Sequence, residues 1–269
     1  MIGDHIGAYR ITGALPNGAY AAFHRHQARR VQLVVAPARD LVEYARTIQA
    51  LPHPGIAGIV DRGALSDGRP WLAIDVPSGL ALFELIARRP MPSVEVAALV
   101  YNVAGVLAFA HDRGVAHGNL TLHSIVLVTG RRDLPVCITD LGRGGVGGPA
   151  DDIHALGTIA YRAVTQMFPT AVTDAVPGAE PALADLIVRM LAQDPAERPT
   201  AAEVRAAAAE MIRAPADQSG KMIDVDDRVH VTARFAAPKW TPAPPINSEA
   251  TPAVAGEIEN SAKLAKPTG

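Results

Sequence analysis

The chain has 269 residues, of which 49% are hydrophobic, and a formal net charge of −2. That length suffices for one large domain or two lobes with a real core, and the near-neutral charge excludes an electrostatic case for nucleic acid or an anionic membrane as partner. The lone cysteine, Cys137, excludes an internal disulfide framework and fits a reducing, cytoplasmic setting.

The opening MIGDHIGAYRIT joins no basic stretch to an apolar core, so no secretory leader is expected. No uninterrupted apolar run approaches the ~18–20 residues of a membrane span. Ala8–Ile11, Tyr20–Phe23 and Val31–Val35 read as strands, with a Pro16-Asn17-Gly18 turn after the first. Asp40–Leu51 carries Leu41, Tyr44, Ala45, Ile48 and Leu51 at helical spacing, with Asp40 as an N-cap. Ile56–Val60 and Trp71–Val76 read as strands joined by the Ser66-Asp67-Gly68 turn. Ser93 can cap a helix whose apolar face is Val96, Leu99, Val100, Val103, Leu107 and Ala110. A hairpin follows, Ser124–Val128 and Pro135–Thr139, joined by residues 129–133. It presents two polar clusters at one end: His117-Gly118-Asn119 before the first strand and Asp140-Leu141-Gly142 after the second, where glycine lets the chain turn away. A further apolar stripe, Leu183, Leu186, Ile187, Met190 and Leu191, leads to Asp194-Pro195-Ala196-Glu197-Arg198-Pro199-Thr200. Thr200 and Glu203 have capping-box spacing for a last helix, to about Arg213. From Pro215 the segment is polar and proline-punctuated; only Val229, Val231, Ala233 and Phe235 alternate as a strand would.

These motifs resemble the eukaryotic-type protein kinase family over residues ~6–213. His117-Gly118-Asn119-Leu120 stands where that family has H-R-D-L, Ser124 where it has the catalytic-loop Asn, and Asp140-Leu141-Gly142 where it has D-F-G. Leu51-Pro52-His53-Pro54-Gly55-Ile56 resembles L-x-HPNI, Asp152-Ile153-His154-Ala155-Leu156-Gly157 resembles D-I-x-x-L-G, and the segment around Arg198 resembles K-D-P-x-x-R-P-[ST]. The resemblance implies an α+β, bilobal kinase-like fold with a small β-rich N-lobe and hinge (1–79), a mainly helical C-lobe (80–214) and a largely disordered tail (215–269).

Phosphoryl transfer needs positive charge on the phosphates, metal ligands and a group that orients the attacking hydroxyl. Val31-Gln32-Leu33-Val34 aligns with V-A-I-K, so Val34 replaces the lysine, and every lysine of this chain lies at Lys221 or later. Tyr44 stands at the partner glutamate position; Glu43, one residue off, points about 100° away around the helix. Arg29 and Arg30 are the cations that could reach inward instead. Against the glycine loop the chain shows Pro16, Gly18 and Ala21, and proline has no amide to offer a phosphate. Asn119 replaces the catalytic carboxylate and Ser124 a metal-ligating amide, leaving Asp140 as the one candidate magnesium ligand. Gly18, the hinge-side Asp75 and Val76, and Asp140 are vestigial candidates for nucleotide contact, while His117, Gly142, Asp152 and Arg198 stand at structural positions of the family. Asp140 and Asp152 are separated by a glycine-rich bypass too short for an activation loop and A-P-E motif, so Arg198 is expected to find a substitute carboxylate or to be solvated.

The reading is a degenerate kinase-like domain, a pseudokinase, that requires no cofactor and acts as a regulatory or scaffolding module in the cytoplasm. Its expected partners are proteins, not nucleic acid or membrane, with tail residues Thr232, Thr241 and Thr251 open to phosphorylation by another kinase. A divergent active serine/threonine kinase using ATP and Mg²⁺, and a nucleotide-sensing module without turnover, are the alternatives.

Overall fold

In a computed structural model of the chain the described residues are 3–130, 135–143, 145–169 and 176–213. The readings made for 215–269, including the strand over 229–235 and the three threonines, lie outside the described residues.

β-Branched and aromatic residues alternating with polar ones build the N-terminal sheet. Its strands are β1 (His5–Ile6), β2 (Tyr9–Ala14), β3 (Tyr20–His24), β4 (Arg30–Val35), β5 (Ile59–Ala64) and β6 (Pro70–Val76). They pair antiparallel in the order β1-β2-β3-β4-β6-β5. The central strand β4 is buried on both faces. Val31 and Leu33 join Tyr9, Ile11 and Trp71 in a small core of their own, whereas Val34 faces the main core and the cleft. The Trp71 indole lies so close to Gly63 that a Cβ there would come within 2.6 Å of it.

Helix α1 (Ala38–Gln49) lays Leu41, Tyr44 and Ile48 against this sheet. Asp40 does not cap it. Pro37 holds the N-cap position, and Asp40 sits in the first turn, where a carboxylate favours the helix dipole. The strand expected at Ile56–Val60 begins only at Ile59. Ile56 instead bridges Ile138, with Ala57 N–H donating to Ile138 O (2.9 Å) and Ile138 N–H to Gly55 O (2.7 Å). Its apolarity thus records docking on the hairpin and not membership of the sheet.

After β6 the chain enters a second sheet, β7 (Gly79–Ala81), β8 (Ile125–Val128) and β9 (Val136–Ile138), in the order β7-β8-β9. Gly79, read as the end of a hinge, is the first residue of β7. Ser124, read as the start of the hairpin, closes a 3-10 turn just before β8. The helical lobe consists of α2 (Leu82–Ile86), α3 (Ser93–His111), α4 (Pro149–Thr165), α5 (Pro181–Met190) and α6 (Ala201–Ile212). α3 is its axis and is buried nearly all round, from Val96 to Ala110. By length and apolar composition α3 could cross a membrane, a stretch the uninterrupted-run test passes over because Glu95 and Asn102 lie in it. Here it is the core helix, packed against α4 and α6. Ser93 does not cap it either; its hydroxyl accepts from the Glu180 N–H (2.9 Å) and ties α5 to α3. The Thr200–Glu203 capping box on α6 is present. A curled antiparallel sheet with one helix, joined to a mainly helical body, is the α+β two-lobed architecture expected.

Candidate functional site

The first polar cluster is organised from beneath by one buried carboxylate. Asp152, in the first turn of α4 and 1% exposed, accepts hydrogen bonds from the backbone N–H of His117 (2.7 Å) and of Gly118 (2.8 Å), and lies 2.9 Å from His111 Nε2. His117 ties the loop to β9. Its Nδ1 accepts from Asn119 N–H (3.3 Å), so Nε2 carries the proton that it donates to Thr139 O (3.0 Å). Burial pushes the His117 pKa down, which keeps the imidazole neutral in this role. Both ring nitrogens are therefore engaged in structure.

Gly118 has φ +76°, and the short segment after Asp140 crosses directly over it. A Cβ at Gly118 would come within 2.9 Å of Gly145 Cα. The glycine at the family's arginine position is thus what lets the bypass close. Arg198 finds the substitute carboxylate: it lies 3.2 Å from Asp151 Oδ1 and donates to the carbonyls of Ala150, Ala192 and Gln193.

The second cluster turns more sharply than glycine alone would require, because Asp140 itself has φ +62°, ahead of Gly142 at +73°. Asp140 Oδ2 accepts from Asn17 Nδ2 (2.6 Å) and from Thr139 Oγ1 (3.1 Å). Arg143 Nε lies 2.8 Å from Oδ1, a close ion pair whose N–H is not aligned on the oxygen. Arg143 Nη2 donates in turn to Asn17 O (2.8 Å). The carboxylate that could hold a metal is thus gripped from both sides by the protein.

Val34, Tyr44, Asn119, Ser124 and Asp140 come together around one cavity of about 700 Å³. Val34 and Tyr44 are buried, and burial, then the nearby Asp140 charge, raises the pKa of the Tyr44 phenol well above its ordinary value. Ser124 Oγ lies 3.2 Å from Thr121 Oγ1. Asp40 and Glu43 also face the cavity, so three carboxylates meet the single guanidinium of Arg143. Gly18, Asp75 and Val76 do not line it. Gly18 is at the exposed tip of the turn, and Asp75 lies 3.5 Å from Arg29 in an exposed pair outside the cleft. Arg29 therefore does not reach inward.

Sequence reasoning passed over three residues here. In the sequence Asn17 reads only as a turn residue, Arg143 only as part of the bypass, and Gln32 only as a member of the Val31-Gln32-Leu33-Val34 motif. Gln32 replaces the alanine of V-A-I-K, is buried, and reaches Thr139 Oγ1 (3.5 Å) across the cleft, so its amide occupies volume that alanine would leave open. That substitution was visible in the sequence. The convergence of Asn17 and Arg143 on Asp140 was not, since it joins positions 123 and 126 apart. Among the described residues no three His, Cys, Asp or Glu side chains cluster as metal ligands.

A β-rich lobe docked on a helical body, with both polar clusters of one hairpin facing the cleft, defines a protein-kinase-like domain. No family model matches the sequence. Serine/threonine-protein kinase pkn3 of Myxococcus xanthus is 27% identical over 214 residues, 59% of this chain and 39% of that protein. PknI of Mycobacterium tuberculosis is 35% identical over 94 residues, 34% of this chain and 16% of PknI. Calcium-dependent protein kinase 15 of Oryza sativa is 29% identical over 238 residues, 69% of this chain and 44% of that protein. The matched region is less than half the length of each of these relatives. The fold and the hairpin motifs agree with this similarity to protein kinases.

Proposed function

We propose that this kinase-like domain transfers no phosphate and works as a regulatory or scaffolding module that binds other proteins. The observation that carries this reading is Asp140. Its carboxylate is held by Asn17, Thr139 and Arg143, so the residues present do not fit a Mg²⁺·ATP complex. The rest of the cleft agrees. Val34 and Tyr44 cannot form a lysine–glutamate pair, Asn119 cannot accept a proton, and Gln32 fills depth that alanine would leave. A lining of three carboxylates and one guanidinium also repels a polyphosphate. The reading extends to a division at 1–79, 80–214 and 215–269, a cytoplasmic setting, and a tail that engages partners after phosphorylation by another kinase.

The names of the relatives favour a second reading, a divergent active serine/threonine kinase in which Asp140 leaves Arg143 to take up Mg²⁺. Calorimetry of the full chain with ATP, with and without Mg²⁺, separates the two. The expected result is no binding tighter than the millimolar range; a Kd of ~1 µM, about −8 kcal/mol, would need phosphate contacts this cleft lacks. Radiolabel transfer that disappears in Asp140→Ala would establish the active kinase.

A further inference from the structure

We propose that Asn17, Asp140 and Arg143 form a latch that holds the two lobes shut across the cleft, and that this latch is poised to open. The inference rests on the proposed function only in taking Asp140 to be free of metal.

The closing contacts are few and specific. Asn17 belongs to the turn between β2 and β3. Its Oδ1 accepts from Ala19 N–H (3.0 Å), which fixes the amide so that Nδ2 points down onto Asp140 (2.6 Å). Arg143, on the segment after β9, reaches back to the Asn17 carbonyl while its Nε rests beside Asp140. The turn that covers phosphate in an active kinase is thus pinned to the opposite lobe by a cation of the chain's own. Gln32 and Thr139 add a long, weak contact beside it.

The poise comes from the imperfect hydrogen bonding of the closed state, in which even the Asp140–Arg143 ion pair has its N–H off the oxygen. Four buried side-chain polar atoms among the described residues have no aligned hydrogen-bond partner: Tyr44 Oη, Asp140 Oδ1, Arg143 Nε and Gln32 Oε1. Three belong to residues lining this cavity, and the fourth is in the adjoining cross-cleft contact. No other fully buried side-chain nitrogen or oxygen among the described residues lacks such a partner, so the side-chain deficit is concentrated where the lobes meet. Lifting the turn would return these atoms to water while the cores on either side stay intact. Two favourable states separated by local opening are the physical basis of a switch. The backbone link of Gly55 and Ala57 to Ile138 remains as the pivot.

Hydrogen exchange of the full chain tests both parts. Leu15 and Gly18 are the reporters, since their N–H groups bond within the turn to Ala19 O and Leu15 O. In Arg143→Ala and in Asn17→Ala these amides should exchange at least tenfold faster, with α3 and α6 unchanged. The double variant should add nothing beyond either single one, because the residues act as a unit. In the wild-type chain the turn should exchange by local opening, at a rate insensitive to low denaturant. Additive effects, or no acceleration in either variant, would overturn the latch. Exchange of the turn only through global unfolding would make it a fixed strut and overturn the poise. Phosphotransfer is not the readout, so an active protein with this exchange pattern would sink the proposed function and leave the latch standing.

Discussion

Replacing Gly118 by alanine adds one methyl group at the point where the catalytic-type loop and the bypass cross. Two costs follow from the geometry. At φ +76° a residue with a Cβ pays about 1–2 kcal/mol for the left-handed conformation. The new Cβ would also lie 2.9 Å from Gly145 Cα, 3.0 Å from its carbonyl carbon and 3.2 Å from Gly147 O. These are backbone atoms that cannot rotate aside, and overpacking of this kind costs about 1–3 kcal/mol. The sum is about 2–5 kcal/mol; at ~2–4 °C per kcal/mol for a domain of this size, the Tm should fall by roughly 4–20 °C. Gly58→Ala is the control, since it lies in open space without a left-handed φ, and should stay within ~0.5 kcal/mol of wild type. Thermal and urea unfolding of the full chain measure both. If Gly118→Ala unfolds together with Gly58→Ala, the segment at 145–147 does not pack on Gly118 and the steric account of the missing arginine fails. Gly118→Arg, which restores the family residue, should destabilise at least as much.

Arg198→Met removes the donor to three carbonyls and the partner of Asp151, and should cost about 2–4 kcal/mol in urea unfolding; Arg198→Lys should recover less than half, because an ammonium cannot span the fork. Tyr44→Phe deletes a buried hydroxyl that has no partner among the described residues, so stability should be unchanged or rise by about 1 kcal/mol, and a loss above that would reveal a partner. Burial lowers the pKa of His53, His117 and His154. A histidine whose folded pKa lies below its unfolded ~6.5 contributes stability that is complete above ~6.5 and is lost as pH falls through the folded pKa. Urea midpoints should therefore hold steady from about pH 8 to 7 and decline below ~6.5, with a shallower decline in His117→Gln; a midpoint that rises on acidification would contradict the burial.

The fold was readable because its markers are local. Helical stripes, a hairpin between two polar clusters, and the capping box at Thr200 each need only a short window of sequence. What failed was whatever depends on a distant partner. Ile56 is apolar because Ile138 lies against it, not because it is in the sheet. Ser93 looks like a cap, yet its hydroxyl serves Glu180. Asp40 fails for a local reason instead: it has the right side chain one turn too late, since Pro37 already starts the helix. At the site, the missing lysine and the altered carboxylate were plain in the sequence, because absence of a residue type requires no coordinates. Where Asp140 spends its charge was not, since Asn17 reaches it from the other lobe.

That last point bears on how a single retained acidic residue is weighed in a kinase-like chain. Asp140 matches the metal-binding position of D-F-G, and taken alone it argues for magnesium. Here the same carboxylate is needed whether or not a metal ever binds. Arg143 is 18% exposed at its side chain, and without Asp140 its guanidinium would be left largely buried, held by its hydrogen bond to the Asn17 carbonyl but without the carboxylate that balances its charge. A half-removed ion pair in such a place is more costly than an intact one, because the remaining charge keeps its desolvation penalty and loses its compensation. Asn17 and Thr139 would lose their acceptor as well. Structural demand on Asp140 is therefore sufficient to explain its presence. Its chemistry has to be judged from what its oxygens touch, and those contacts are an amide, a hydroxyl and a guanidinium of the chain itself.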